Sequence, residues 1–259
     1  SRHSRRGDRA GRGGGRPYGV GLMAWVLDRS PELLDTALAA KPALLSVSFG
    51  DVAGYVDRIH DAGVLAVTQV GTVREAREAE GAGIDLIVAR GGEGGGHGRD
   101  AVATLPLLQG VLDAVNVPVL AAGGIATARG LAAVLAAGAA GAWVGTAFAA
   151  CLESDSSADS RAAVVAADET DTIYTTVLDI GRRVPWPSEF GGRAIRNAFA
   201  ERWHGRADEL VASGERIDEL TVWAGQAAGL VPGERPASDV VADLARAEEL
   251  LQAVAARRR

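Results

Sequence analysis

Val117-Pro118-Val119-Leu120-Ala121-Ala122-Gly123-Gly124-Ile125 is followed, after the alanine-rich stretch 128–137, by Gly141-Ala142-Trp143-Val144-Gly145-Thr146-Ala147-Phe148. Each segment holds a short apolar run that ends in glycine. An apolar run without alternation is the pattern of a strand buried on both faces, and such strands belong to parallel sheets with helical crossovers. A strand, then glycines, then a helix start make an anion site, because free amides and the helix dipole both favour negative charge. One such turn is an ordinary strand–helix connection. Two at consecutive strand ends match the phosphate site built after strands seven and eight of a (β/α)8 barrel.

The same cadence extends toward the N-terminus. Strands are predicted over 18–23, 44–49, 65–70, 84–89, 117–122 and 142–146, and helices over 30–40, 52–61, 73–80, 105–115 and 128–137. Ser30 before Pro31-Glu32 predicts a side-chain cap with proline at the first helical position. The expected fold class is therefore α/β, a (β/α)8 TIM barrel. If the last two strands are the seventh and eighth, strands three to eight are present and the N-terminal two are missing. The expected barrel unit covers 17–150. A cap segment over 151–190 follows, with a helix near 158–167 and a Pro-Trp-Pro turn at 185–187. C-terminal helices are expected over 191–259, including 192–203, 207–212 and 237–256. Residues 1–16 hold six arginines, five glycines and no aliphatic side chain larger than alanine, the composition of a disordered lead.

Composition narrows the function. The 259 residues carry 27 basic and 33 acidic side chains, a net charge of −6 that argues against nucleic-acid binding. The single cysteine, Cys151, excludes an intrachain disulfide and a multi-cysteine metal site, and fits a reducing, cytoplasmic location. No run of about 18 apolar residues predicts a membrane span. Lys41 is the only lysine, and it precedes a strand rather than following one, so Schiff-base and pyridoxal chemistry have no nucleophile at the active end. Glycine is abundant at 34 residues, nearly double the usual ~7%.

Much of that glycine lies in Gly91-Gly92-Glu93-Gly94-Gly95-Gly96-His97-Gly98-Arg99-Asp100, directly after the strand predicted over 84–89. Glycines there allow a sharp turn and a close backbone approach to a ligand. A histidine at the C-terminal end of a barrel strand is placed for proton transfer. A flexible glycine loop with a solvated histidine is the alternative. Glu93 is read as a solvated or loop-bracing carboxylate rather than one that polarises the loop, and Arg99 either steers an anion or pairs with Asp100. Cys151 is read as a small buried side chain, Trp186 and Trp203 as packing anchors, and Asp168-Glu169-Thr170-Asp171 as a solvated turn; no metal is expected.

Together these motifs resemble the nitronate monooxygenase (2-nitropropane dioxygenase) family of FMN-dependent barrels, from about residue 17 to about 245. Gly92-Glu93-Gly94-Gly95-Gly96-His97 resembles the family's glycine–histidine loop, which implies His97 as catalytic base and Gly94 and Gly95 at the cofactor. Residues 118–125 with Gly145-Thr146 resemble its FMN-phosphate strands, implying Gly123, Gly124, Gly145 and Thr146 as phosphate ligands. Gln69 falls where the family places a lysine or glutamine near the flavin, and Ala224-Gly225-Gln226 resembles a late family element. Gly21 stands where the family has an asparagine. The two strands absent from the pattern suggest a truncated or mis-started chain. The resemblance implies oxidative denitrification of a small alkyl nitronate or nitroalkane, with O2, to a carbonyl compound and nitrite. Three alternatives stay open: an FMN-dependent NAD(P)H enoyl reductase with the same loop, a flavin-free phosphate-binding barrel, and a non-catalytic remnant.

Overall fold

The computed structural model describes residues 16–257. All but the last residue of the lead predicted over 1–16 lies outside them.

Six parallel strands form one open sheet: β1 (Gly19–Met23), β2 (Leu44–Ser48), β3 (Leu65–Val70), β4 (Leu86–Arg90), β6 (Val119–Ala122) and β7 (Gly141–Trp143), in the order β1-β2-β3-β4-β6-β7. Each neighbour is reached through a helix. The chief ones are α2 (Glu32–Ala39), α3 (Ala53–Asp61), α4 (Val73–Gly81), α5 (Thr104–Leu112) and α6 (Ala128–Ala136); the short α1 (Ala24–Leu27) precedes α2. Strands in sequence order with helical crossovers are consecutive staves of a (β/α) barrel. Among the described residues β1 pairs only with β2, and β7 only with β6.

The strands form where they do because both faces are covered. Leu45, Val47, Ala66, Ile87, Ala89, Val119 and Ala121 meet the helices through Leu34, Val56, Ile59, Leu107, Leu108 and Val111. On the other face Val67, Val88 and Ala122 pack with the half-buried Leu44, Leu86 and Leu120. Helix starts are set locally: the Thr72 hydroxyl accepts from Glu75 N at the head of α4, and Thr127 from Gly130 N at the head of α6. At α2 the expected serine cap does not form. Pro31 occupies the cap position and no side chain closes it.

The later part of the chain differs from the sequence reading at several points, and within the cap segment a strand at Thr172–Thr175 and a helix at Val177–Arg182 were not predicted. The helix expected over 192–203 is strand β9 (Gly192–Ile195) followed by α10 (Ala198–Trp203). β9 lies between β5 (Gly96–His97) and β8 (Thr172–Thr175) in an antiparallel sheet, and this pairing overrides the helical preference of Arg193-Ala194-Ile195. The helix expected over 237–256 is two, α12 (Ala237–Ala245) and α13 (Ala247–Ala256), parted at Arg246. Before β9 lie α7 (Thr146–Ala149), α8 (Ala158–Ala166) and α9 (Val177–Arg182), and α11 (Ala207–Ser213) lies between α10 and α12. Ile173, Leu178, Phe199, Trp203 and Leu210 form a second core under the small sheet. Among the described residues no helix is long and apolar enough to cross a membrane.

Leu108 is fully buried on α5 against the strands. Leu108→Ala leaves a cavity there and is expected to cost about 2–5 kcal/mol, read as a lowered urea midpoint with an unchanged slope.

Candidate active site

Parallel strands bring their C-terminal ends together, and four of those ends build one cavity of about 370 Å³. β3 contributes Gln69; the loop after β4 contributes Gly94, Gly95 and His97; β6 leads into Gly123 and Gly124; β7 leads to Gly145 and Thr146. The cavity lining thus unites every candidate residue named from the sequence. Arg90, Phe49, Trp143 and Trp223 complete much of the wall.

The loop after β4 has almost no side chains of its own, and its shape is imposed by partners. Arg90, the last residue of β4, is buried and turns its guanidinium onto the loop's carbonyls: Nη2 donates to Gly94 O at 2.5 Å and Gly96 O at 2.9 Å, and Nη1 to Arg99 O at 3.2 Å. Burial lowers this group to about 10, with Tyr174 opposing the shift, so it keeps its charge at neutral pH. From β9, Arg193 Nε donates to Gly92 O at 2.7 Å and Nη2 to Asp100 Oδ1 at 2.8 Å. The Tyr174 hydroxyl donates to Gly98 O at 2.8 Å. Of the readings left open for Glu93 the loop-bracing one applies: it accepts from Thr104 N at 2.8 Å and from the Thr104 hydroxyl at 2.7 Å. Arg99 does not pair with Asp100. It pairs with Glu75 and lies over the Phe190 ring, 4.8 Å from its centroid.

Two close approaches need glycine. Gly95 and Gly225 meet back to back: a Cβ on Gly95 would sit 2.5 Å from Gly225 N, and one on Gly225 would sit 2.4 Å from Glu93 O. Gly123 holds φ +105 and Gly124 φ +70, conformations that aim successive amides off the end of β6. Opposite them Thr146 Oγ1 accepts from Gly225 N at 3.0 Å, which leaves its hydroxyl proton to donate elsewhere.

His97 is fixed on several sides. Its ring stacks on Trp186 with centroids 3.6 Å apart and planes 6° apart, and Trp223 leans on it at 4.6 Å. Its Nε2 lies 2.8 Å from Asp179 Oδ2, with the two side chains 10% and 5% exposed. Asp179 Oδ1 is buried without a hydrogen-bond partner. Trp186 in turn meets Phe49 edge-on at 5.1 Å and Trp25 at 5.2 Å. The sequence reading took Trp186 as a packing anchor; it packs, and what it packs on is His97.

Asp179, Arg90 and Arg193 were missed from sequence. Each left a faint trace: a carboxylate between Leu178 and Ile180, an arginine closing the apolar run Leu86–Arg90, and an arginine after two glycines. None of these names a partner. Gly21 lies at an exposed point of β1 with open space where a side chain would stand. Cys151 is buried, and the Asp168–Asp171 segment is a turn in which Asp168 N donates to Asp171 Oδ2. Among the described residues no group of three His, Cys, Asp or Glu side chains is placed to hold a metal.

The family model for nitronate monooxygenases matches residues 28–247. A nitronate monooxygenase from Neurospora crassa is 33% identical over 210 residues, covering 73% of this chain; the chain spans 55% of that relative's own length. Among solved structures, FabK from Thermotoga maritima superposes with a TM-score of 0.84 at 26% identity, covering 98% of this chain and 83% of its own. The nitroalkane oxidase from Streptomyces ansochromogenes does so at 0.78 and 28%, covering 96% and 87%.

Gly225→Ala forces a methyl group into backbone atoms and is expected to cost about 1–3 kcal/mol. Gly145→Ala places its Cβ in open space and leaves the melting temperature unchanged. Thermal melts of the two variants, run side by side, check the contrast.

Proposed function

The chain belongs to the nitronate monooxygenase family, and from that premise we propose that its cavity binds FMN and that it oxidises small alkyl nitronates and nitroalkanes with O2, yielding a carbonyl compound and nitrite. The observation that carries the reading is that His97, paired from behind by Asp179, lines the same cavity as the two glycine-bearing strand ends.

The donor set suits a phosphate. Gly123, Gly124, Gly145 and Thr146 all line the cavity, where their amides and the Thr146 hydroxyl would hold the phosphate, and no carboxylate lines it among the described residues. Its volume lies within the roughly 300–1,000 Å³ of small-molecule sites. A Cβ at Gly145 would meet nothing, so the backbone there faces open space that a ligand can fill. Gln69, Gly94 and Gly95 would flank the ring system. Flavin, when bound, supplies the redox and oxygen chemistry. The chain's part is to orient the substrate, keep water out with Trp186, Trp223 and Phe49, and move one proton. A nitronate has already lost its acidic α-proton. A neutral nitroalkane must give one up first, and His97 is the base that takes it.

NAD(P)H-dependent enoyl reduction is the second reading, because the same glycine–histidine loop suits it. Rapid bleaching of the visible flavin absorbance by NADH would favour it; nitrite release from a nitronate without NADH favours the first.

His97→Asn is expected to keep the flavin spectrum and nitronate oxidation while nitroalkane turnover falls about 10²–10⁴-fold. Nitrite release from each substrate measures this, and undiminished nitroalkane turnover would remove His97 from the chemistry.

A further inference from the structure

We propose that Asp179 is the positioning residue of this site: it holds the single proton of neutral His97 on Nε2, so that Nδ1 is the atom that accepts the substrate proton. The second half of the statement rests on the proposed function; the first does not.

The argument starts from hydrogen-bond capacity. A neutral imidazole has one N–H and one lone pair, and an ionised carboxylate only accepts. With Nε2 at 2.8 Å from Asp179 Oδ2, the proton belongs on Nε2 and the lone pair on Nδ1. Nothing in the surroundings offers Asp179 a better partner. Its Oδ1 is buried with no hydrogen bond, and no salt bridge other than that to His97 reaches it among the described residues. The imidazole cannot turn over to escape. A half-rotation about Cβ–Cγ would keep the ring plane on Trp186 but replace Nε2 by a carbon atom and break the bond to Asp179.

Charge bookkeeping then assigns the direction of proton transfer. Beside neutral His97, ionised Asp179 is a buried and unbalanced negative charge, which is costly. The pair becomes neutral when His97 carries protons on both ring nitrogens. In nitroalkane deprotonation, the substrate's C–H bond breaks, its electron pair stays with the substrate as the nitronate, and the proton forms a bond to Nδ1. The carboxylate thereby balances the imidazolium that the step creates, without itself taking a proton.

The test uses the full chain labelled with 15N-histidine. It holds four histidines, His3, His60, His97 and His204, and the His97 signals are those lost in His97→Asn. Two-bond proton–nitrogen correlation spectra of the wild type are expected to show a protonated Nε2 and an unprotonated Nδ1 for His97. A proton on Nδ1 instead would overturn the proposal. Steady-state kinetics of Asp179→Asn supply the second reading, since the change removes the charge and keeps the shape. Turnover of neutral nitroethane is expected to fall about 10²–10⁴-fold, with oxidation of pre-formed ethyl nitronate within a few-fold of wild type. Equal losses on both substrates would show a merely structural role and overturn the proposal, as would full activity on both. If the wild type oxidises neither substrate, the functional reading fails and the ring-nitrogen pattern alone still decides where Asp179 holds the proton.

Discussion

The site depends on a buried cation. A run of glycines has more backbone freedom to lose than any other sequence, and the loop between Arg90 and Arg99 has few side chains with which to recover that loss. Arg90 supplies what the loop lacks. Its planar, multi-donor group collects the carbonyls of Gly94, Gly96 and Arg99, and charge-assisted bonds of this kind are the stronger class. Lysine at this point would be a poorer substitute, because a compact ammonium group cannot span several separated carbonyls. Arg193 and Tyr174 add contacts at Gly92 and Gly98. With its carbonyls held, the loop delivers His97 to a defined place rather than to solvent.

Two sheets of different kinds divide the work. The parallel sheet gathers strand ends by geometry alone, and so brings Gln69, the glycine loop, Gly123-Gly124 and Gly145-Thr146 to one cavity. The small antiparallel sheet joins the loop to the later part of the chain through the pairing of β5 with β9. It is this second sheet's surroundings, α9 and the segment after it, that supply Asp179 and Trp186 to His97. The glycine-bearing strand ends and the partners of His97 are therefore built by different parts of the chain. The negative charge of Asp179 stands behind His97 instead of lining the cavity, where it would repel a phosphate or a nitronate.

How much of this was legible follows from what each feature depends on. β2 to β7 of the parallel sheet announce themselves as mostly apolar runs, because burial favours that composition, with Ser46, Ser48 and Thr68 as buried polar exceptions. The meeting of Gly123-Gly124 and Gly145-Thr146 in one cavity was legible because glycines at two consecutive strand ends are read together. β9 was not, since Arg193-Ala194-Ile195 favours a helix in isolation and becomes a strand only through partners at Gly96–His97 and Thr172–Thr175. The break at Arg246 was hidden for a related reason: the alanine-rich sequence on both sides is equally helical. Asp179 was invisible because its meaning is a contact across 82 positions of chain, and no local pattern encodes a partner that distant.

Phe49 shows where the fold accepts strain. Its φ of +66° lies in the left-handed region, a conformation that costs a bulky residue of order 1–3 kcal/mol. Such a residue persists when its neighbours over-determine it. Here the ring is wedged edge-on against Trp186 at 5.1 Å and Phe190 at 5.5 Å, and the chain continues into Gly50, where a Cβ would press on Ala24. The strained ring shares the wall between the site and a neighbouring groove of about 580 Å³, whose lining also includes Gln69, Arg90 and Arg99. A relaxed backbone at position 49 would swing the ring off Trp186, and with it one of the supports that keep the indole flat on His97. The cost at Phe49 is thus tied, through two aromatic contacts, to the orientation of the His97 imidazole.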